Sequence, residues 1–276
     1  MNTLFKYAAI GLTALTLTSC ANQAPKQPKY VFYLILDGCG VNTVNGAEMY
    51  QAELEGRIGR VPTCMTQFPV VSVASTFSVS NGVTDSAASG TALASGVKSY
   101  NGALGVDKDT IPVYGIANWA KDAGKLVGIG TSVCINHATP GAQYAHNFTR
   151  NNYYEIGLDL AASGFDFFGG SDFRLDSRHR DESFRDSIYQ MCFDNGYVIA
   201  RETYADYEAK ASEADRLIFI QDLNRTQNVD ESSLPYNIDA KGELSVYDIT
   251  RAQIDFLYRK SQKNGGKGFF LMNEIG

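Results

Sequence analysis

Four near-continuous apolar runs limit the folds open to this chain more than any other feature of its sequence. They are "YVFYLILDG" from Tyr30, "KLVGIGTSVCI" from Lys125, "FDFFGG" from Phe165 and "GKGFFLMNE" from Gly266. Short apolar runs without regular polar alternation are typical of strands that are buried on both faces of a parallel sheet. We therefore predict a strand in each run.

Two segments between these runs carry apolar residues at helical spacing. Residues 111–124 end in Gly124, and residues 246–266 end in a pair of glycines. Glycine after the last periodic residue is a common helix stop. Strands that alternate with helices predict an α/β domain, in which a mostly parallel central sheet is covered by helices on both faces.

The stretch from about Asp172 to Asp239 has a looser pattern. It is charged and rich in Arg and Tyr, and its apolar runs, "YVIARE" and "RLIFIQD", are short. We interpret residues 172–239 as an insertion over the rim of the sheet, within a single domain that spans residues 30–276.

The first 29 residues predict export. The positively charged Lys6 precedes "YAAIGLTALTLTS", an apolar stretch too short to span a membrane, and a polar tether follows "LTSC". This arrangement is similar to a bacterial lipoprotein signal. We expect residues 1–19 to be a signal peptide and Cys20 to be lipidated. Residues 20–29 would then form the tether of an exported lipoprotein that is periplasmic or anchored in the outer membrane. An ordinary secretory signal with an incidental cysteine is the alternative.

Charge and cysteine spacing exclude some classes of partner. The net charge of -6 and the isoelectric point near 5.1 argue against a nucleic-acid-binding surface. The other cysteines are Cys39, Cys64, Cys134 and Cys192, and they form no CxxC pair, which disfavours a structural zinc site. Their spacing leaves open whether they are disulfide-bonded or isolated buried thiols.

Polar side chains of metal-ligand type follow three of the predicted strands. Asp37 ends the first, His137 and Thr139 follow the second, and Glu274 ends the last. Carboxyl ends of parallel strands meet at one edge of a sheet, and such oxygen-rich sets bind hard cations. Taken singly, Asp37 also fits a strand-ending turn, and Glu274 fits a solvated acid.

The segment "GVTDSAASGTALASG" from Gly82 is built from unusually small side chains. Thr84 or Asp85 can cap a helix that begins at Ser86, which places the Ser86 hydroxyl at the positive end of the helix dipole. Backbone N–H groups at such an end bind anions, so Ser86 is a candidate nucleophile toward a phosphate ester. The alternative is a capped helix of small residues that packs tightly on a sheet.

These motifs together resemble those of the alkaline phosphatase family. "VTDSAASGTA" resembles the active-site segment of the family, and "LILDGCG" resembles its first metal-ligand strand. "NHATPGAQYAHNFTR" is similar to the stretch that carries a hydroxyl ligand of the third metal and the phosphate-binding arginine. "GFFLMNE" resembles the strand that supplies the glutamate of that metal site. The motifs occur in the family's order. A sulfatase is disfavoured because its Cys or Ser motif before Pro-Ser-Arg is absent, and a phosphodiesterase is disfavoured because many of these use threonine as the nucleophile.

The resemblance implies hydrolysis of small-molecule phosphate monoesters through a phosphoserine intermediate. Ser86 would be the nucleophile and would also ligate zinc, and Arg150 would bind two phosphate oxygens. Asp85 would orient Arg150.

The same resemblance implies two zinc ions and one magnesium ion. Asp37 would bridge zinc and magnesium, Thr139 and Glu274 would complete the protein ligands of magnesium, and His137 would ligate the third metal directly. His146 and His179 match no ligand position, so we expect surface or structural roles for them.

Several zinc ligands of the family have no counterpart in this sequence. An Asp-x-x-x-His motif and further histidines follow the glutamate strand in the family, whereas only Ile275 and Gly276 follow Glu274 here. We therefore expect the N-terminal part of a bacterial, lipoprotein-type alkaline phosphatase, without the C-terminal zinc-ligand region and with the last strand at an uncovered sheet edge. A truncated, non-catalytic chain that at most binds magnesium or phosphate is the alternative. The resemblance is compatible with a homodimer.

Overall fold

Every strand pairing in the central sheet is parallel. The computed structural model describes residues 27–222, 234, 243–263 and 265–276. In this part of the chain the strands follow the spatial order β1-β6-β2-β3-β5-β4. Their bounds are Tyr30–Leu36 (β1), Leu126–Cys134 (β2), Phe167–Ser171 (β3), Tyr197–Arg201 (β4), Arg216–Gln221 (β5) and Phe269–Ile275 (β6).

Helices cover both faces of this sheet, which confirms the predicted α/β fold with a mostly parallel sheet. The helices are Val41–Leu54 (α1), Ser86–Ser95 (α2), Ile116–Asp122 (α3), Ala138–Gly141 (α4), Tyr153–Ser163 (α5), Glu182–Asp194 (α6), Tyr204–Ala211 (α7) and Val246–Lys263 (α8). A short 3-10 turn spans Met65–Gln67.

Two hydrophobic clusters form the core, one on each face of the sheet. Ile156 of α5 and Ile188 of α6 belong to the first, together with Phe270 of β6. Ile249 and Leu257 of α8 pack in the second. All residues of β2 are buried, as expected for a strand in the middle of a sheet with two covered faces.

The last strand lies inside the sheet rather than at its edge. β6 pairs with β1 on one side and with β2 on the other, so that Glu274 lies opposite both Ile35 and Thr131. The prediction of an uncovered edge at the strand of Glu274 was therefore wrong. Among the described strands β1 and β4 are the two edges, and Phe32 and Leu34 of β1 are 51% and 62% exposed.

The interpretation of residues 172–239 as a rim insertion was wrong for the part that the structure describes. "YVIAR" and "RLIFIQ" form β4 and β5, and β5 pairs in parallel with both β3 and β4. These strands have five and six residues, so they are shorter than β2. β5 is almost fully buried, and β4, at the edge of the sheet, is partly buried. Apart from Leu234, residues 223–239 lie outside the described residues, as do residues 1–26 with Cys20.

The four remaining cysteines are free thiols. Cys134 and Cys192 are buried, Cys39 is partly exposed and Cys64 is exposed. Burial raises the pKa of both buried thiols to about 12, which keeps them protonated. In the part of the chain that the structure describes, no helix is both long enough and apolar enough to cross a membrane.

Candidate active site

The carboxyl ends of β1, β6 and β2 bring several predicted ligands to one edge of the sheet. The backbone N–H of Asp37 donates to the carbonyl of Ile275, which fixes the turn after β1 against the end of β6. The hydroxyl of Thr139, in α4 shortly after β2, donates to Oδ2 of Asp37 over 3.3 Å. Asp37 is exposed, whereas Thr139 is buried, so these oxygens line a site that opens to solvent.

The helix of small residues begins at Ser86, as predicted. Asp85 is its N-cap residue, and Oδ1 of Asp85 accepts a hydrogen bond from the N–H of Ala88 over 3.0 Å. The half-buried Ser86 therefore occupies the first helical position, at the positive end of α2. A Cβ added at Gly90 would lie 3.1 Å from Cβ of Ala142, so the small side chains let α2 approach α4 closely.

A chain of polar contacts joins α2 to the segment after β2. Oδ2 of Asp85 accepts from the backbone N–H of Gly102 over 3.0 Å and from Nη1 of Arg150 over 3.3 Å. Nη2 of Arg150 lies 3.0 Å from Nε2 of His137. The structure thus brings Asp85, Arg150 and His137 together beside the nucleophile candidate.

His137 is neutral in this environment. Burial lowers its pKa to about 4, and the positive charges of Arg150 and Arg174 act in the same direction. A neutral ring next to Arg150 accepts the guanidinium N–H at Nε2, so its proton is on Nδ1. Nδ1 is buried and has no hydrogen-bond partner. Arg150 thus occupies Nε2 of this ring.

Glu274 is fully buried, and only one of its two carboxylate oxygens has a hydrogen-bond partner. Its Oε2 accepts a hydrogen bond from the hydroxyl of Thr131 over 2.5 Å, whereas its Oε1 has no partner. Burial raises the pKa of this carboxyl to about 7, an effect that the hydrogen bond from Thr131 and the nearby hydroxyl of Thr139 partly offset. The carboxylate of Asp37 adds to the rise, and Arg150 opposes it.

The described residues fit magnesium better than zinc. A buried carboxylate oxygen without a partner, on Glu274, shares the site with the oxygens of Asp37 and Thr139, and Mg²⁺ prefers oxygen ligands. Zinc takes four ligands in structural sites and three protein ligands in catalytic sites. Asp37 and Ser86 are the only zinc ligands that the sequence predicts among the described residues, so these residues do not complete a zinc site.

One further cluster of ligand-type side chains was not predicted. Among the described residues, ligand atoms of Glu155, Asp176 and His179 all lie within 4.8 Å of one another. Arg178 already pairs with both carboxylates, at 3.1 Å from Glu155 and 3.4 Å from Asp176. His179 also packs against Tyr154. Arg178 therefore supplies positive charge to this cluster, and the four side chains form a network of ion pairs.

Sequence reasoning missed two residues near the predicted site. Thr131 lies within an apolar strand run, and its contact with Glu274 arises only through the pairing of β2 with β6 in the sheet. Arg174 follows β3 and stacks on Tyr153, where its charge reaches His137. A threonine and an arginine at these positions carry no motif that could have identified them.

The site combines a serine at the first position of a capped helix, an arginine fork and the carboxylates of Asp37 and Glu274 at the carboxyl edge of a parallel sheet. That combination is typical of hydrolases of phosphate esters. The family model for alkaline phosphatase matches residues 28–168, about half of the chain. The chain belongs to the alkaline phosphatase family.

Individual relatives agree with this assignment. The chain is 39% identical over 136 residues to the tissue-nonspecific alkaline phosphatase of Mus musculus, which is 45% of this chain and 26% of that protein. It is 33% identical over 206 residues to alkaline phosphatase 4 of Bacillus subtilis, which is 70% of this chain and 39% of the relative. The chain thus spans less than half the length of these curated relatives.

A solved structure matches over a larger part of the fold. The alkaline phosphatase of the Antarctic bacterium TAB5 has a TM-score of 0.71 and 28% sequence identity, covering 90% of this chain and 65% of that one. Two variants of that enzyme, each with a histidine replaced by an acidic residue, have magnesium bound in their M3 site.

Proposed function

We propose that this chain takes part in the hydrolysis of small-molecule phosphate monoesters through a phosphoserine intermediate on Ser86. The observation that carries the proposal is the contact chain from the α2 cap to the segment after β2. Asp85 caps the helix that begins at Ser86, and its second carboxylate oxygen contacts Arg150. A nucleophile, a helix N-terminus and an arginine fork thus converge on one place where a phosphate group can bind.

Ser86 performs the bond-forming step. Its Oγ attacks phosphorus, the P–O bond to the alcohol breaks, and the alcohol leaves with a proton. Water then cleaves the phosphoserine, which releases inorganic phosphate and restores the hydroxyl. The positive end of α2 stabilises the developing negative charge next to Ser86.

Arg150 binds the substrate. Its planar guanidinium can donate two parallel hydrogen bonds to non-bridging phosphate oxygens, a geometry that lysine cannot reproduce. Asp85 accepts from Nη1 of this side chain, and Nε2 of His137 accepts from its Nη2. The fork is therefore oriented before substrate arrives.

Asp37, Thr139 and Glu274 are the proposed magnesium ligands. When bound, the ion supplies positive charge that offsets the negative charge of the phosphate. The unpartnered Oε1 of Glu274 and the Asp37–Thr139 pair support this assignment. The magnesium-bound variants of the TAB5 enzyme support it by similarity.

The proposed location is outside the cytoplasm. The apolar N-terminal stretch that ends in "LTSC" supports an exported lipoprotein, lipidated at Cys20, that is periplasmic or anchored in the outer membrane.

The hydrolysis is tested with a chromogenic phosphate monoester. The full chain is assayed at alkaline pH with zinc and magnesium present, beside Ser86→Ala and the control Ser95→Ala. Ser95 lies at the far end of the same helix. We expect turnover that Ser86→Ala abolishes and Ser95→Ala leaves intact. Acid-quenched protein should also gain the mass of one phosphoryl group at Ser86.

The same assay separates the second candidate function, a non-catalytic chain that binds magnesium or phosphate. Binding of either ion without turnover would favour that candidate. Turnover that survives Ser86→Ala would contradict the proposed mechanism.

A further inference from the structure

We propose that Thr131 is a positioning residue that orients the Glu274 carboxylate so that its free oxygen faces a magnesium ion. This assignment presupposes the magnesium site proposed above. Thr131 itself contacts neither the ion nor the substrate in this proposal; it acts through Glu274.

The sheet places the two side chains directly opposite each other. Thr131 of β2 and Glu274 of β6 are paired residues on neighbouring parallel strands, and both are almost completely buried, at 1% and 0% exposure. The distance from Oγ1 of Thr131 to Oε2 of Glu274 is 2.5 Å. An O–H···O bond of this length is typical of a hydroxyl that donates to a charged carboxylate.

The hydroxyl of Thr131 has one direction in which to donate. Its oxygen accepts from the backbone N–H of Val133 over 3.1 Å, so its single hydrogen is the group that points at Glu274. The N–H of Val133 therefore fixes the hydroxyl of Thr131 through one oxygen lone pair, and the hydroxyl proton in turn binds the carboxylate of Glu274.

The methyl group of Thr131 fixes the same orientation from the other side. β3 has no side chain at Gly170, where an added Cβ would lie 2.8 Å from Cγ2 of Thr131. The methyl group occupies the space that this glycine leaves open. Because a β-branched side chain has few χ1 options, seating the methyl there directs the hydroxyl toward Glu274.

The consequence is a carboxylate with one bonded and one free oxygen. Oε2 of Glu274 is bonded to Thr131, and Oε1 is buried without a partner. Partners that orient a ligating group in this way typically affect metal affinity by about 10–100-fold when they are removed.

The experiment measures Mg²⁺ binding to the full chain by isothermal titration calorimetry. Two pairs of proteins isolate the hydroxyl: the unmodified chain against Thr131→Val, and Thr131→Ser against Thr131→Ala. Within each pair the hydroxyl is the main difference, and the second pair serves if the valine variant fails to fold. We expect Kd for Mg²⁺ to rise about 10–100-fold in the valine and alanine variants and to stay within about threefold in the serine variant.

Thr250→Val is the matched control. This variant also loses a threonine hydroxyl, which is partly buried in α8. The hydroxyl of Thr250 donates to the carbonyl of Val246 and accepts from Asn273, the neighbour of Glu274. We expect this variant to be less stable to heat with unchanged Mg²⁺ affinity.

Equal Mg²⁺ affinity in all four Thr131 proteins would overturn the proposal, and so would equal weakening in the serine and alanine variants. Absence of Mg²⁺ binding by the unmodified chain would overturn it as well. Normal Mg²⁺ binding without phosphate ester hydrolysis would instead overturn the proposed function alone.

Discussion

Asp85 connects the start of a helix to Arg150 through the two oxygens of a single carboxylate. Oδ1 caps α2 at the N–H of Ala88, and Oδ2 lies 3.3 Å from Nη1 of Arg150. Any movement of Asp85 therefore affects both Arg150 and the residue that follows the cap, Ser86. Asp85 thus has two roles: it caps α2, and it orients Arg150.

The two roles predict different outcomes for two substitutions. Asp85→Asn keeps a good cap but loses the charge that faces Arg150, so we expect little change in thermal stability. Phosphate binding should weaken by about 1 kcal/mol, or roughly fivefold. Asp85→Ala should lose in addition about 1 kcal/mol of unfolding free energy, because the cap is gone. Thermal melts and phosphate inhibition constants measure the two effects, and identical melts for both variants would contradict the capping role.

Arg150→Ala should weaken inhibition by inorganic phosphate. Two charge-assisted hydrogen bonds are lost. We therefore expect the binding free energy of phosphate, calculated from its inhibition constant, to become less favourable by about 1.5–3 kcal/mol. Arg150→Lys is the matched variant, because it keeps the charge but not the planar fork, and it should recover only part of the loss. Unchanged inhibition in the alanine variant would exclude Arg150 from the phosphate site.

Glu48, away from the site, accepts hydrogen bonds whose contribution to stability should be lost at acid pH. This buried residue of α1 accepts from the hydroxyl of Thr66 and from the backbone N–H of Thr63, and these bonds hold its pKa below the usual value of 4.5. A lowered folded-state pKa contributes stability above pH 4.5 that is lost as the pH falls further.

Glu48→Gln should therefore be less stable than the unmodified chain at neutral pH. The difference in unfolding free energy should shrink as the pH falls below 4.5, because the carboxyl is then protonated in the unmodified chain as well. Urea unfolding at several pH values measures the difference. Glu55→Gln, at the exposed end of the same helix, is the control. A difference that grows at low pH would show that the sign is wrong.

Cys20→Ser tests the proposed lipid anchor. If "LTSC" is a lipoprotein signal, the variant should move from the detergent-dependent membrane fraction to the soluble fraction. Cell fractionation with detection of the protein in each fraction provides the measurement. Membrane association that persists unchanged in the variant would argue for a different mode of attachment.

Four of the described strands could be predicted because almost all of their residues are apolar. β1, β2, β3 and β6 appear in the sequence as near-continuous apolar runs. β2, β3 and β6 are buried on both faces, whereas β1 is an edge strand with exposed apolar side chains. β4 and β5 were not recognised as parts of the sheet because their flanking residues are charged and their runs are short. The position of β6 between β1 and β2 could not be predicted, since strand order depends on where a crossover helix packs.

The site was only partly predictable for a similar reason. Asp85, Ser86 and Arg150 belong to local motifs, and the structure places Asp85 against Arg150, although their catalytic roles stay predictions. The bond between Arg150 and His137 and the pairing of Thr131 with Glu274 depend on long-range packing. No spacing along the chain indicates such contacts.

The sheet order also determines when this molecule can complete its fold. Among the described strands, β1 pairs only with β6, and residues 37–268 separate the two in the sequence. At about 5–20 residues per second, a ribosome takes on the order of 10–50 s to make that stretch. Throughout that time the strand that leads into Asp37 lacks its only described partner, so its apolar side chains stay open to non-native pairing.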